Sequence, residues 1–169
     1  FQVRIRHVKM YWELYNFSQE HNFPISDILN ERLRDMISYA VYILQPDKNI
    51  PLLGASLKRT IAHSGIYEDV ARTFPELKYV LTAGKDGAEP KKLNIVYPES
   101  GEVIMRSGWG EGEEFKNQTQ AVFDFGPYRT LHSDFDALSF SLYGNGINLM
   151  PDAGLYAYEE SDYLWRGCF

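Results

Sequence analysis

The spacing of apolar and polar positions changes period near residue 84, and that change divides the chain. In the first stretch Val8, Tyr11, Trp12 and Tyr15 recur at i, i+3, i+4 and i+7, the spacing of one helix face, and predict a helix from Phe1 to about Glu20. His21-Asn22-Phe23-Pro24 breaks it. Ser26 or Asp27 stands where a cap is needed for a second helix, whose stripe runs Ile28, Leu29, Leu33, Met36, Ile37, Ala40, Val41 and Leu44 and stops at Gln45, before Pro46. Two helices joined by so short a link form an αα-hairpin, a unit shared by helical bundles and α/α toroids. A turn cluster at Pro46-Asp47-Lys48-Asn49 precedes weaker helical patterns at Ser56 to Ala62 and Tyr67 to Leu81.

Gly84-Lys85-Asp86-Gly87-Ala88-Glu89-Pro90 is the expected boundary. Beyond it the period is 2: Leu93, Ile95 and Tyr97, then Val103 and Met105, then a strand around Val122. Leu138, Phe140 and Leu142 alternate with Ser139, Ser141 and Tyr143, and Gly144-Asn145-Gly146 leads into a second short strand from Ile147 to Met150, which is the pattern of a hairpin. Gly108 to Glu114 reads as a polar, glycine-rich loop. The expected fold class is therefore α+β, with helices first and an antiparallel sheet after them.

Composition narrows the function without fixing it. A net charge of −6 disfavours a nucleic-acid binder, which needs a basic face, but leaves open acidic sugars held by a few arginines in a groove. The apolar run Ile37 to Leu44 is far shorter than a membrane span. Cys168 stands alone, so no internal disulfide forms, and compartment stays undetermined. With 12 Tyr and 3 Trp the chain has rings enough for stacking on sugars, although most such rings serve as core. Phe1 falls inside a helical pattern with no start signal before it, and Leu164-Trp165-Arg166-Gly167-Cys168-Phe169 ends on an apolar residue, so both ends read as interior to a longer polypeptide.

The densest ionisable cluster of the second half is His132-Ser133-Asp134-Phe135-Asp136. On an extended backbone His132, Asp134 and Asp136 share one face, and Asp152, in Met150-Pro151-Asp152-Ala153-Gly154, can return beside it after the hairpin. Close carboxylates need a cation, a proton or hydrogen-bond donors, so the group suits a divalent metal or a perturbed histidine. Turn-capping aspartates beside a half-exposed histidine read equally well from spacing alone. Arg106 and Trp109 stand on the strand end and loop leading toward His132, where an arginine can pair with a uronate or sulfate and an indole can stack on a sugar; a surface arginine and a core indole is the alternative.

The run from His132 to Gly146, followed by Asp152-Ala153-Gly154-Leu155-Tyr156-Ala157-Tyr158, resembles the signature of the heparinase II/III-like family, H-x-H-x-D-x-L-S-F, a small-residue hairpin, then D-x-G and tyrosines. Residues 97–109 are similar to the first strands of the same domain, and residues 45–54 more loosely to the segment closing its helical toroid. The resemblance implies that 1–84 is the end of an α/α toroid and 85–169 the start of an antiparallel β-sandwich. It implies a periplasmic or secreted polysaccharide lyase that cleaves uronic-acid polymers by β-elimination. His132 matches the motif's first histidine and Tyr156 a tyrosine near the substrate, so both are expected in catalysis. Asp152 matches a metal-ligand aspartate, and Asp134 occupies the place of a second, zinc-binding histidine. Asp134 and Asp152 are thus the expected ligands of one structural divalent ion, zinc or a harder cation. Ala55 stands where many relatives have aspartate.

The alternative on the same scaffold is a non-catalytic protein that binds acidic polysaccharide or assists exopolysaccharide assembly, its site degraded by the Asp134 change. In relatives the catalytic tyrosine lies in a Tyr-His pair ahead of the Phe1 position and a further metal histidine beyond Phe169, so this stretch alone is expected to be inactive. Expected partners are an acidic polysaccharide, with no nucleic acid and no membrane span; oligomeric state is not determined by the sequence.

Overall fold

The computed structural model describes residues 2–53, 65–126 and 138–152. Two long helices open it, α1 (Gln2–Glu20) and α2 (Ser26–Ile43), joined by the short turn at 21–25 and packed against each other. The expected stripe holds: Val8, Leu29, Leu33, Ile37, Ala40 and Val41 are buried, with Tyr11, Trp12 and Tyr15 partly so, while Ile28 is exposed. The expected cap does not hold. The residue at the start of α2 is Ile25, and no side chain bonds the first amides. The helix also stops at Ile43, short of Gln45, where Leu44 takes an extended backbone.

The pattern from Tyr67 to Leu81 becomes two helices, α3 (Gly65–Thr73) and α4 (Pro75–Leu81). Proline at the first position of α4 starts the new helix and denies the preceding Phe74 a helical backbone, so one periodic stripe is cut in two. The expected helical stretch from Ser56 to Ala62 lies outside the described residues.

The sheet has five antiparallel strands in sequence order, β1 (Asn94–Tyr97), β2 (Glu102–Arg106), β3 (Gln120–Asp124), β4 (Phe140–Gly144) and β5 (Ile147–Met150). A short helix, α5 (Glu113–Asn117), begins at the last two residues of the stretch expected to be a loop, and its one buried residue, Phe115, joins the core. The α+β expectation is borne out. The β4–β5 turn is Asn145-Gly146, with φ of 51° and 80°, the positive values that let a two-residue turn follow the twist of its strands.

One continuous core runs from the helices into the sheet. Leu33, Ile37, Val70, Leu77 and Val80 belong to the same buried cluster as Ile104, Trp109, Phe115 and Val122. The inner side of the sheet carries Ile104, Arg106, Gln120, Val122, Ser141 and Tyr143, all buried. The apolar side of the hairpin faces outward: Leu138 is 68% exposed and Phe140 38%, while Ser141 is 2% and Tyr143 1%. Hydrophobicity alone would have turned β4 the other way.

Candidate functional site

The end of α2 is held by side chains from three strands. A helix leaves its last carbonyls without partners inside the helix, and burial makes such orphans costly. The Arg106 guanidinium donates to the Leu44 carbonyl, and Gln120 Nε2 donates to the carbonyls of Tyr42 at 2.7 Å and Leu44 at 3.0 Å. Gln45 Nε2 donates to Asn148 Oδ1 of β5 at 2.8 Å. Arg106, Gln120 and Tyr143 are register partners across β2, β3 and β4, so one row of the sheet lies under this helix terminus. A cation there also meets the negative end of the helix dipole.

Arg106 lies 4.2 Å from the centre of the Trp109 ring. The indole donates to the Lys92 carbonyl at 3.1 Å and makes edge contacts with Tyr42 and Tyr79. Burial lowers the Arg106 pKa to about 9, against which the Tyr42 hydroxyl acts weakly, so the group stays charged at neutral pH. Arg106 and Trp109 had been expected to reach toward a sugar. At 5% and 3% exposure, they are instead turned into the seam between helices and sheet.

Asp152 follows β5 by two residues and is half-buried. Because Leu142 pairs with Met150, the antiparallel register carries the chain after β5 back along the start of β4, which is the stretch that follows His132 to Asp136. His132, Asp134, Asp136 and Tyr156 lie outside the described residues. Among the described residues no three His, Cys, Asp or Glu side chains come together as a metal site. Of the expected donor set Asp152 alone lies among the described residues.

A second feature stands where α1 and α2 meet β1. A cavity of about 600 Å³ is lined there by His7, Tyr11, Asp35, Ser38, Tyr39 and Tyr97, among others. The Tyr39 and Tyr97 rings meet edge to face at 5.1 Å. Burial above all, with the charges of Glu102 and Asp35 adding, pushes the Tyr97 hydroxyl up to about 12. Spacing alone did not reveal this cleft, because its walls are far apart in sequence; tyrosines at helical and strand positions were the available signal.

Residues 89–169 match the family model described as heparinase II/III-like, C-terminal. The heparin-sulfate lyase of Pedobacter heparinus is 29% identical over 163 residues, covering 94% of this chain and 24% of that protein. That of Bacteroides stercoris is 32% identical over 150 residues, covering 86% and 21%. The chain therefore spans about a quarter of the length of these relatives. Among solved structures, the heparan sulfate lyase HepC of Pedobacter heparinus superposes with a TM-score of 0.81 at 27% identity, covering 98% of this chain and 27% of that one. A mutant of the same lyase gives 0.83 at 25% identity. Residues 89–169 thus belong to the heparinase II/III-like C-terminal family, and the fold of nearly the whole chain is shared with these lyases.

Proposed function

We propose that the chain is part of a polysaccharide lyase that cleaves an acidic, uronic-acid-containing polymer by β-elimination. The observation that carries this reading is the likeness to heparin-sulfate lyases across both halves of the chain. In the reaction a base removes the proton at C5 of the uronate. The electron pair freed there forms the C4–C5 double bond as the bond from C4 to the glycosidic oxygen breaks, and that oxygen takes a proton. The step needs a base, an acid and neutralisation of the uronate carboxylate so that charge can develop at C5.

His132 is assigned to the uronate or to the proton transfer, and Tyr156 to the neighbourhood of the substrate. The halves 1–84 and 85–169 then act as the end of a helical toroid and the start of the β-domain. Arg106 and Gln120 serve by fixing the seam between them. Elimination leaves an unsaturated uronate that absorbs in the ultraviolet, so full-length protein mixed with heparan sulfate, alginate, hyaluronan or polyglucuronate is expected to generate that absorbance with at least one polymer. Silence across the panel, with binding retained, would move the protein to the non-catalytic alternative. A periplasmic or secreted location fits a polymer too large to enter the cell.

The divalent ion belongs to the same proposal. Asp134 and Asp152 would hold it, and its part is to tie the His132 stretch to the hairpin, since elimination requires no metal-bound water. Chelator is therefore expected to lower the melting temperature of full-length protein before it lowers turnover. Metal content far below one equivalent, with melting indifferent to chelator, would remove both aspartates from the site.

A further inference from the structure

We propose that Asn145, at the tip of the β4–β5 hairpin, is a modification site: in the folded protein its carboxamide closes onto the Gly146 amide and is converted to isoaspartate and aspartate. The proposal stands independently of the lyase reading.

The reaction needs only water. The Gly146 nitrogen attacks Asn145 Cγ, the new C–N bond forms as the bond to the side-chain nitrogen breaks, and ammonia leaves carrying the amide proton. Water then opens the five-membered succinimide. Attack at the side-chain carbonyl gives aspartate, and attack at the backbone carbonyl gives isoaspartate, whose main chain runs through Cβ.

Asn145 is the one asparagine of the chain followed by glycine, the residue that crowds the attacking nitrogen least. Both residues are exposed. A Cβ at Gly146 would meet Asn117 Oδ1 at 3.8 Å and nothing nearer, so the nitrogen stands in open space. Among the described residues no backbone hydrogen bond holds the Gly146 amide. Ring closure also rotates the Asn145-Gly146 peptide, which the two-residue turn permits only when the hairpin end opens. That opening costs little: every residue of β5 is exposed, β5 is last in the strand order of the described sheet, and its pairing with β4 is irregular between Leu142 and Tyr143.

Asp86-Gly87 supplies the contrast. A Cβ at Gly87 would run into the Pro75 carbonyl and the Tyr79 amide, so that glycine is packed where Gly146 is free. Lys78 Nζ lies 2.6 Å from the Asp86 carboxylate and holds its pKa down, and an ionised carboxylate resists attack by an amide.

The neighbours of the turn set the consequence. The Asn145 amide donates to the Asn117 carbonyl at 3.3 Å, and Tyr143 donates to the Lys116 carbonyl, so the turn lies against the end of α5. A new carboxylate beside those carbonyls is repelled, and an extra methylene in the main chain breaks the pairing of Gly144 with Ile147. Conversion therefore loosens the strand that leads to Asp152.

Full-length protein would be held at mildly alkaline pH, well below its melting temperature, and sampled over time by peptide mapping with fragmentation, the urea-unfolded chain serving as reference. Asn145 is expected to gain about one mass unit and to appear as isoaspartate and aspartate, with Asn117, Asn148 and Asp86 unchanged. Gly146→Ala should slow conversion at least about tenfold. Asn145→Gly keeps the turn and removes the carboxamide, so its melting temperature should hold during incubation while that of the unaltered protein falls. An Asn145 that stays intact in the folded protein while the unfolded reference converts would overturn the proposal. So would conversion of Asn117 or Asn148 at the same rate, which is the behaviour of unfolded chain, or indifference to Gly146→Ala.

Discussion

Arg106 shows how a residue chosen for chemistry can turn out to hold the fold. Removing it by Arg106→Ala leaves the Leu44 carbonyl with fewer donors and opens a void beside Trp109. The expected cost is about 3 kcal/mol in chemical denaturation, from a lost charged hydrogen bond plus a cavity. Arg106→Met, which keeps the volume and removes a buried charge, should cost clearly less. A raised KM at unchanged stability would instead return Arg106 to the substrate. Tyrosines give a pH signature. Burial raises the pKa of Tyr79, Tyr97 and Tyr143 to about 12, with Glu89 adding at Tyr79, whereas an unfolded tyrosine ionises near 10. Below pH 10 both states are neutral and this contribution to stability is complete; as pH rises from 10 through 12 only the unfolded chain ionises, and stability falls. Ultraviolet titration should show these tyrosines ionising only as the protein unfolds.

Among the elements, the β4–β5 hairpin was the most legible, since alternation and Asn145-Gly146 agree on one turn. Gly146 sits at φ 80°, so Gly146→Ala is expected to destabilise by about 1 kcal/mol, while Asn145→Gly should be nearly neutral. Equal effects from both changes would argue against the two-residue turn. Less legible were the break at Phe74-Pro75 and the helix α5. The stripe from Tyr67 to Leu81 continues through the break because both short helices bury the same side. In α5 a single apolar residue, Phe115, faces the core, which is too little for a periodic signal. The inverted face of β4 has a physical cause as well. Ser141 pairs with Val122 and Tyr143 with Gln120, and Tyr143 also donates to the Lys116 carbonyl at 3.3 Å, so its ring is fixed beneath α5.

At the scale of the molecule the helices cover one side of the sheet, and Val96, Met105, Phe140 and Met150 remain more than a third exposed on the other. An apolar face of that kind favours association, so this chain prepared alone is expected to self-associate with rising concentration in sedimentation experiments. A monomer at all concentrations would mean that the face is covered. The sequence by itself determined the helix pair, the period change near residue 84, the hairpin and the family signature from His132 to Tyr158. These are local, written in spacing, turn residues and motif. Tertiary structure alone decided which side of each strand faces inward, that Arg106 and Gln120 receive the end of α2, and that three tyrosines from separate elements line one cleft. Those outcomes depend on where distant backbone carbonyls and rings come to lie, and no local spacing encodes them.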